Sequence, residues 1–247
     1  MRPLLNRKNR ERPNTLRKLD CCTTAQAAAQ LRHTQHPDTK LPKERENVEL
    51  QLSAALLIFI ATIATSLVGL FGSPRLIDAC LFRPYWFLRR KEYHTVVTSG
   101  MVHGDVMHLL FNMLTFYFFA FPLERYIGTV WFTILYLAGL LVSHAGTYFK
   151  HKREPDYACL GASGAISAVL FASVVFFPEQ SLFIIPIPVP IPAPLFAVGY
   201  LAYTYWAAKQ QRGRINHDAH LGGALTGLAF VALVAPWAYQ NLFANLF

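Results

Sequence analysis

Charge is scarce in this chain: Asp, Glu, Lys and Arg supply 15% of its 247 residues, while 53% are hydrophobic. Soluble domains carry about a quarter charged residues, so this balance excludes an ordinary water-soluble domain and points to a membrane protein. Acids are scarcer than bases, 14 against 23, for a net charge of +9. Cysteine is rare too: Cys21, Cys22, Cys80 and Cys159 form no CxxC pair and no zinc-like spacing, which excludes a disulfide framework or cysteine metal cluster. There is no HExxH, no nucleic-acid motif and no repeat of 20 to 50 residues, so the positive charge is read as membrane-surface charge. No cofactor is expected.

What the chain has is apolar length. Six stretches near 52–71, 106–123, 130–149, 159–177, 190–208 and 219–237 approach the 17 to 25 residues that span a bilayer. The fold class is therefore an all-α integral membrane protein. Residues 1–48 are expected to be a mobile basic arm, 49–240 the helical domain and 241–247 a short tail. The first 50 residues hold 11 of the 23 bases and no apolar run, which suits anionic lipid and also an organellar transit segment. Absolute topology stays open, because the bases divide almost evenly between the two sides. Arg83-Pro84-Tyr85-Trp86-Phe87-Leu88-Arg89-Arg90-Lys91, after the first span, mixes rings and bases as headgroup-level segments do. Proline at alternate positions in Ile185-Pro186-Ile187-Pro188-Val189-Pro190-Ile191-Pro192 forbids a helix and predicts a stiff polyproline connector.

Polar groups inside spans mark function by default, with interhelical packing as the competing explanation. Three clusters stand out. His108 and Asn112, four apart at the start of span two, share a helix face and can donate hydrogen bonds from it. Ser163 lies between Gly161 and Gly164 at the head of span four, where unpaired backbone N–H groups and the helix dipole favour developing negative charge. Gly164, Ala168 and Ala172 make a stripe of small residues on that helix. His220, Gly223, Ala224 and Gly227 follow the i, i+3, i+4, i+7 pattern in span six, so an imidazole stands on a face stripped for close approach. Its natural neighbour is the small face of span four. Nucleophile, base and donors for an oxyanion are the parts needed for acyl transfer. Asp218, two residues from His220, points to the other side of the helix, so a dyad is expected.

The motifs GASGA, HLLFN and AHLGGALTG, across roughly residues 50 to 240, resemble those of the rhomboid intramembrane serine proteases. The resemblance implies a six-transmembrane-helix bundle that cleaves transmembrane or membrane-anchored protein substrates near one membrane face. It implies Ser163 as nucleophile and His220 as base. His108, Asn112 and the backbone N–H of Ser163 would hold the oxyanion, Gly161 would position the scissile peptide, and His103 would support the loop or bind water. Partners are then membrane-protein substrates and the lipid bilayer, with no nucleic acid and no metal. The Leu123-Glu124-Arg125 turn matches the charged end that the family shows after its second helix.

Two departures stand beside the match. Some members have a tyrosine four residues after the nucleophile that stacks on the imidazole; here Ser167 occupies that place, so another group must orient His220. The family's Trp-Arg pair in the first loop aligns with His94-Thr95. The competing readings are a catalytically silent relative that binds or escorts membrane proteins, and a metal site built on His103, His108, His217 and His220. A bacterial inner membrane is the first expectation for location, because mitochondrial relatives usually carry an additional span before the six. The mitochondrial inner membrane is the alternative.

Overall fold

The computed structural model describes residues 53–184, 187–210 and 216–244. The expected basic arm lies outside the described residues. The chain begins with α1 (Ala54–Leu67), which runs into a π-helical turn, Val68–Gly72. Short helices α2 (Pro74–Cys80), α3 (Pro84–Arg89) and α4 (Thr95–Thr98) follow, then a 3₁₀ turn at Ser99–Met101. Two long helices come next, α5 (Val106–Ile127) and α6 (Thr129–His151), joined at Gly128. The chain continues through α7 (Ser163–Phe176), a hairpin of β1 (Ser181–Ile184) and β2 (Ile187–Pro192), α8 (Ala193–Gln210), α9 (His217–Val234) and α10 (Ala238–Ala244).

Four helical segments, Ala54–Gly72, Val106–Ile127, Thr129–His151 and His217–Val234, are long and apolar enough to cross a membrane. Their outer faces carry exposed apolar residues such as Ile60, Phe118, Val130 and Leu233, which suit lipid rather than water. This is an integral membrane protein.

α7 has a different character. At 14 residues it rises about 21 Å, short of the ~30 Å hydrocarbon core. Every residue from Gly164 to Val175 is buried, so it is a central post wrapped by α5, α6 and α9. The run at 159–177 was long enough to read as one span, yet its first four residues are not helical. Cys159 instead exchanges both backbone hydrogen bonds with Phe82, each 3.0 Å, and Gly161 adopts φ +107°.

The proline-rich stretch is a strand rather than a free polyproline connector. β2 pairs antiparallel with β1, setting Ser181 opposite Pro192 and Leu182 opposite Ile191. Because successive residues turn their N–H groups to opposite edges, alternating prolines occupy one edge and leave the other free to pair.

The two ends of the first membrane helix are held by side chains. Glu124 in α5 accepts hydrogen bonds from Ser53 Oγ (2.5 Å), Ala54 N (2.7 Å) and Ala55 N (3.2 Å), capping α1 with a buried carboxylate. At the opposite end, Thr65 and Ser66 both donate to Met101 O. In the first loop, Arg89 stacks on Tyr85 and Arg90 on Trp86, each 3.8 Å from the ring centre.

Candidate functional site

Ser163 is the first residue of α7, with Ala162 before it providing no side-chain cap. The first backbone N–H groups of this helix therefore remain available at the serine. The helix is closely packed because its neighbours lack side chains where they touch it. A Cβ at Gly223 would overlap the carbonyl of Gly164, and one at Gly227 would overlap the carbonyl of Ala168. On α6, a Cβ at Gly139 would come within 2.5 Å of the Ala168 Cβ. α9 thus lies backbone on backbone along α7. Its first turn, which carries His220, sits at the turn that carries Ser163.

That first turn is set by its own cap and by α6. Asn216 Oδ1 accepts from Ala219 N at 3.0 Å, while its Nδ2 donates to Thr147 Oγ1 at 2.9 Å. The Ser143 hydroxyl is shared between the carbonyls of Gly139 (2.6 Å) and Ala219 (2.9 Å). Asp218 is ion-paired with Lys150 at 2.5 Å and takes no part at the imidazole. His220 Nδ1 lies 3.2 Å from Tyr200 Oη of α8, whose oxygen is 3.4 Å from Ser167 Oγ. Among the described residues the His220 imidazole is therefore hydrogen-bonded to Tyr200 and not to Ser163.

His108 reaches the same region from α5. Its backbone N–H is capped by Asp105 Oδ1 at 2.8 Å. Its imidazole rests on Gly161, where a Cβ would stand 2.7 Å from Cε1 and 2.8 Å from Nε2. Gly161 is required twice over, by this contact and by its φ of +107°. His108 and His217 both lie near enough to His220 to interact electrostatically with it. Asn112 is buried, and its Nδ2 donates to His108 O at 3.0 Å; the amide has a second hydrogen to offer.

His103 is fully buried behind His108, the two rings meeting edge to face at 4.8 Å. Its Nδ1 lies 3.0 Å from Ser66 Oγ, and its Nε2 has no hydrogen-bond partner. Burial, then the neighbouring His108, pushes its pKa down to about 3. It is a neutral wall of the site.

A further chain of contacts holds Gly161. His144 in α6 donates from Nδ1 to Leu140 O (2.8 Å) and accepts at Nε2 from Ser99 Oγ (2.9 Å). Ser99 O in turn accepts from Gly161 N at 2.8 Å. A small polar cleft beside Ser163 is lined by Ser143, His144, Thr147, Cys159 and Asn216. Burial pushes the Cys159 thiol up to about 12, so it is no rival nucleophile.

The structure thus gathers Ser163, Gly161, His108, Asn112, His103 and His220 at one end of the bundle. Sequence reasoning missed Tyr200, His144, Ser143 and Ser99. The signal for Ser143 and His144 was present, as polar residues inside an apolar span; nothing separated Tyr200 from the other tyrosines of α8. Among the described residues no group of three or more His, Cys, Asp or Glu side chains is placed to hold a metal ion.

Comparison with known proteins points to one family. The model of the Rhomboid domain matches residues 90–237. RHOMBOID-like protein 12, mitochondrial, of Arabidopsis thaliana is 30% identical over 152 residues, covering 53% of this chain and 43% of that protein. Rhomboid protein 1, mitochondrial, of Saccharomyces cerevisiae is 29% identical over 178 residues, covering 66% and 49%. The putative rhomboid protease YdcA of Bacillus subtilis is 38% identical over 76 residues, covering 30% and 37%. The match spans less than half the length of each of these relatives. With the family model covering more than half of the chain, this protein belongs to the rhomboid family.

Proposed function

We propose that this protein is an intramembrane serine endopeptidase with Ser163 as nucleophile and His220 as general base. The observation that carries the reading is the glycine-mediated contact of α7 and α9, which sets the two residues in adjoining first turns. Ser163 Oγ attacks a peptide carbonyl while His220 takes its proton; the proton then passes to the leaving amine, and water hydrolyses the acyl-enzyme. The negative oxygen formed in each step is met by the Ser163 backbone N–H, His108 and the second amide hydrogen of Asn112. Hydrogen bonds of this kind are often long without substrate and tighten on binding, which accommodates a resting His220 held by Tyr200. The small cleft between Ser163 and the side chains of Ser143, Thr147 and Asn216 has room for about one water beside the serine. α1, α5, α6, α7, α8 and α9 are the six helices of the bundle, with α7 reached by a non-helical lead.

Substrates are transmembrane or membrane-anchored proteins whose helices unwind near the face where α5, α7 and α9 begin, since an intact helix hides its carbonyls. The mitochondrial names of two relatives support a mitochondrial inner membrane over a bacterial one; import of a reporter fused to residues 1–50 tests that choice. A catalytically silent escort is the second reading, favoured by the lack, among the described residues, of a hydrogen bond between Ser163 and His220, whose Nδ1 is bonded to Tyr200.

Fluorophosphonate labelling of the purified chain in liposomes separates the two. The wild type is expected to be labelled at Ser163 and to cleave a transmembrane substrate, whereas Ser163→Ala and His220→Ala do neither. Cleavage by Ser163→Ala at the wild-type rate removes the protease assignment.

A further inference from the structure

We infer that Tyr200 is the positioning residue of the base, completing a Ser163–His220–Tyr200 relay in which a phenol stands where other serine hydrolases use a carboxylate. The inference rests on the protease reading above. Tyr200 Oη is 3.2 Å from His220 Nδ1, so Nε2 is the nitrogen left to face the serine. A neutral imidazole that accepts at Nε2 must carry its hydrogen on Nδ1. Tyr200 Oη accepts that hydrogen and sends its own toward Ser167 Oγ, 3.4 Å away. Thr204, one turn along α8, offers Tyr200 a second hydroxyl contact. The tyrosine ring is itself held between Phe171 and Phe196, with ring centres 5.4 and 5.7 Å away.

The other candidates for this role are taken. Asp218 is paired with Lys150, and the Ser167 hydroxyl is in contact with the Tyr200 hydroxyl. When Ser163 gives its proton to Nε2, the ring becomes an imidazolium and Nδ1–H keeps the Tyr200 oxygen as acceptor. The proton gained at Nε2 goes to the leaving amine, so Tyr200 neither gains nor loses one over the cycle. A neutral phenol steadies the cation less than a carboxylate would, which makes orientation and tautomer choice its main contribution.

The test compares wild type, Tyr200→Phe, Tyr200→Leu and Ser167→Ala, each as the full chain in liposomes. The readouts are the rate of fluorophosphonate labelling at Ser163, and kcat and KM on one transmembrane substrate. Tyr200→Phe keeps the ring and is expected to lower labelling and kcat by about 10- to 100-fold, the range known for groups that orient a metal-ligating histidine, with KM unchanged. Tyr200→Leu should be no more than about twofold worse, and Ser167→Ala should show a smaller loss in kcat. A Tyr200→Phe protein that labels and turns over like wild type overturns the inference, as does a loss confined to KM or to Tyr200→Leu. If Tyr200→Phe does not fold, an unchanged kcat in Ser167→Ala overturns it instead. A wild type that is not labelled at all overturns the protease reading and this inference with it, whereas normal labelling in Tyr200→Phe overturns this inference alone.

Discussion

The bundle is held at its two ends by opposite means. Where α7 meets α9, the contact is made by taking side chains away: Gly223 and Gly227 let one backbone lie on another beside Ser163 and His220. Where α1 meets the end of α5, the contact is made by adding a charged group, Glu124, whose carboxylate receives three donors at the head of α1. The first joint is governed by volume and fails when atoms are inserted. The second is governed by unpaired backbone donors and fails when an acceptor is removed. Close approach serves the end that holds Ser163 and His220; capping serves the end where α1 begins.

Substitutions can break that contrast. Gly223→Leu should have the largest effect, since no rearrangement short of parting the helices admits a side chain there; a loss of about 3 kcal/mol and of all Ser163 labelling is expected. Thermal unfolding in detergent and probe labelling read both. Glu124→Ala should cost about 2 kcal/mol by leaving buried donors unpaired, yet the folded fraction should keep wild-type turnover. If it instead loses turnover per folded molecule, the two ends are not separable.

Gly161→Ala sharpens the contrast from within the site. Its strained φ and its overlap with His108 should cost about 1 to 2 kcal/mol and lower kcat about a hundredfold, by displacing a donor rather than by unfolding. A pH titration addresses the wall behind His108. His103 is buried neutral with a pKa of about 3 against an ordinary 6.5, so the unfolded chain binds its proton first. Stability from this group is complete above pH 6.5 and declines as the pH falls toward 3. His103→Gln should flatten that decline, and an unchanged profile would remove His103 from the account.

What was legible in the sequence is what local spacing can encode. The i, i+3, i+4, i+7 pattern from His220 placed the imidazole on the small face that α7 receives, and Ser163 stands at a helix head as its flanking glycines suggested. Long-range partners were not legible. Glu124 showed itself as part of a charged turn, but its role depends on donors some 70 residues earlier. The start of α7 was drawn four residues early because apolar length cannot reveal that Cys159 pairs with Phe82. The alternating prolines suggested an isolated extended segment, since the strand that pairs with it has no signature of its own. Tyr200 was hidden for the same reason: three-dimensional neighbourhood, and not spacing along α8, distinguishes it from Tyr203 and Tyr205.

The short backbone bridge between Phe82 and Cys159 fastens the first loop to the lead-in of α7, four residues before Ser163. Two backbone hydrogen bonds of 3.0 Å thus fix where the chain stands as it enters the turn at Gly161, so the first loop shares in setting the approach to Ser163.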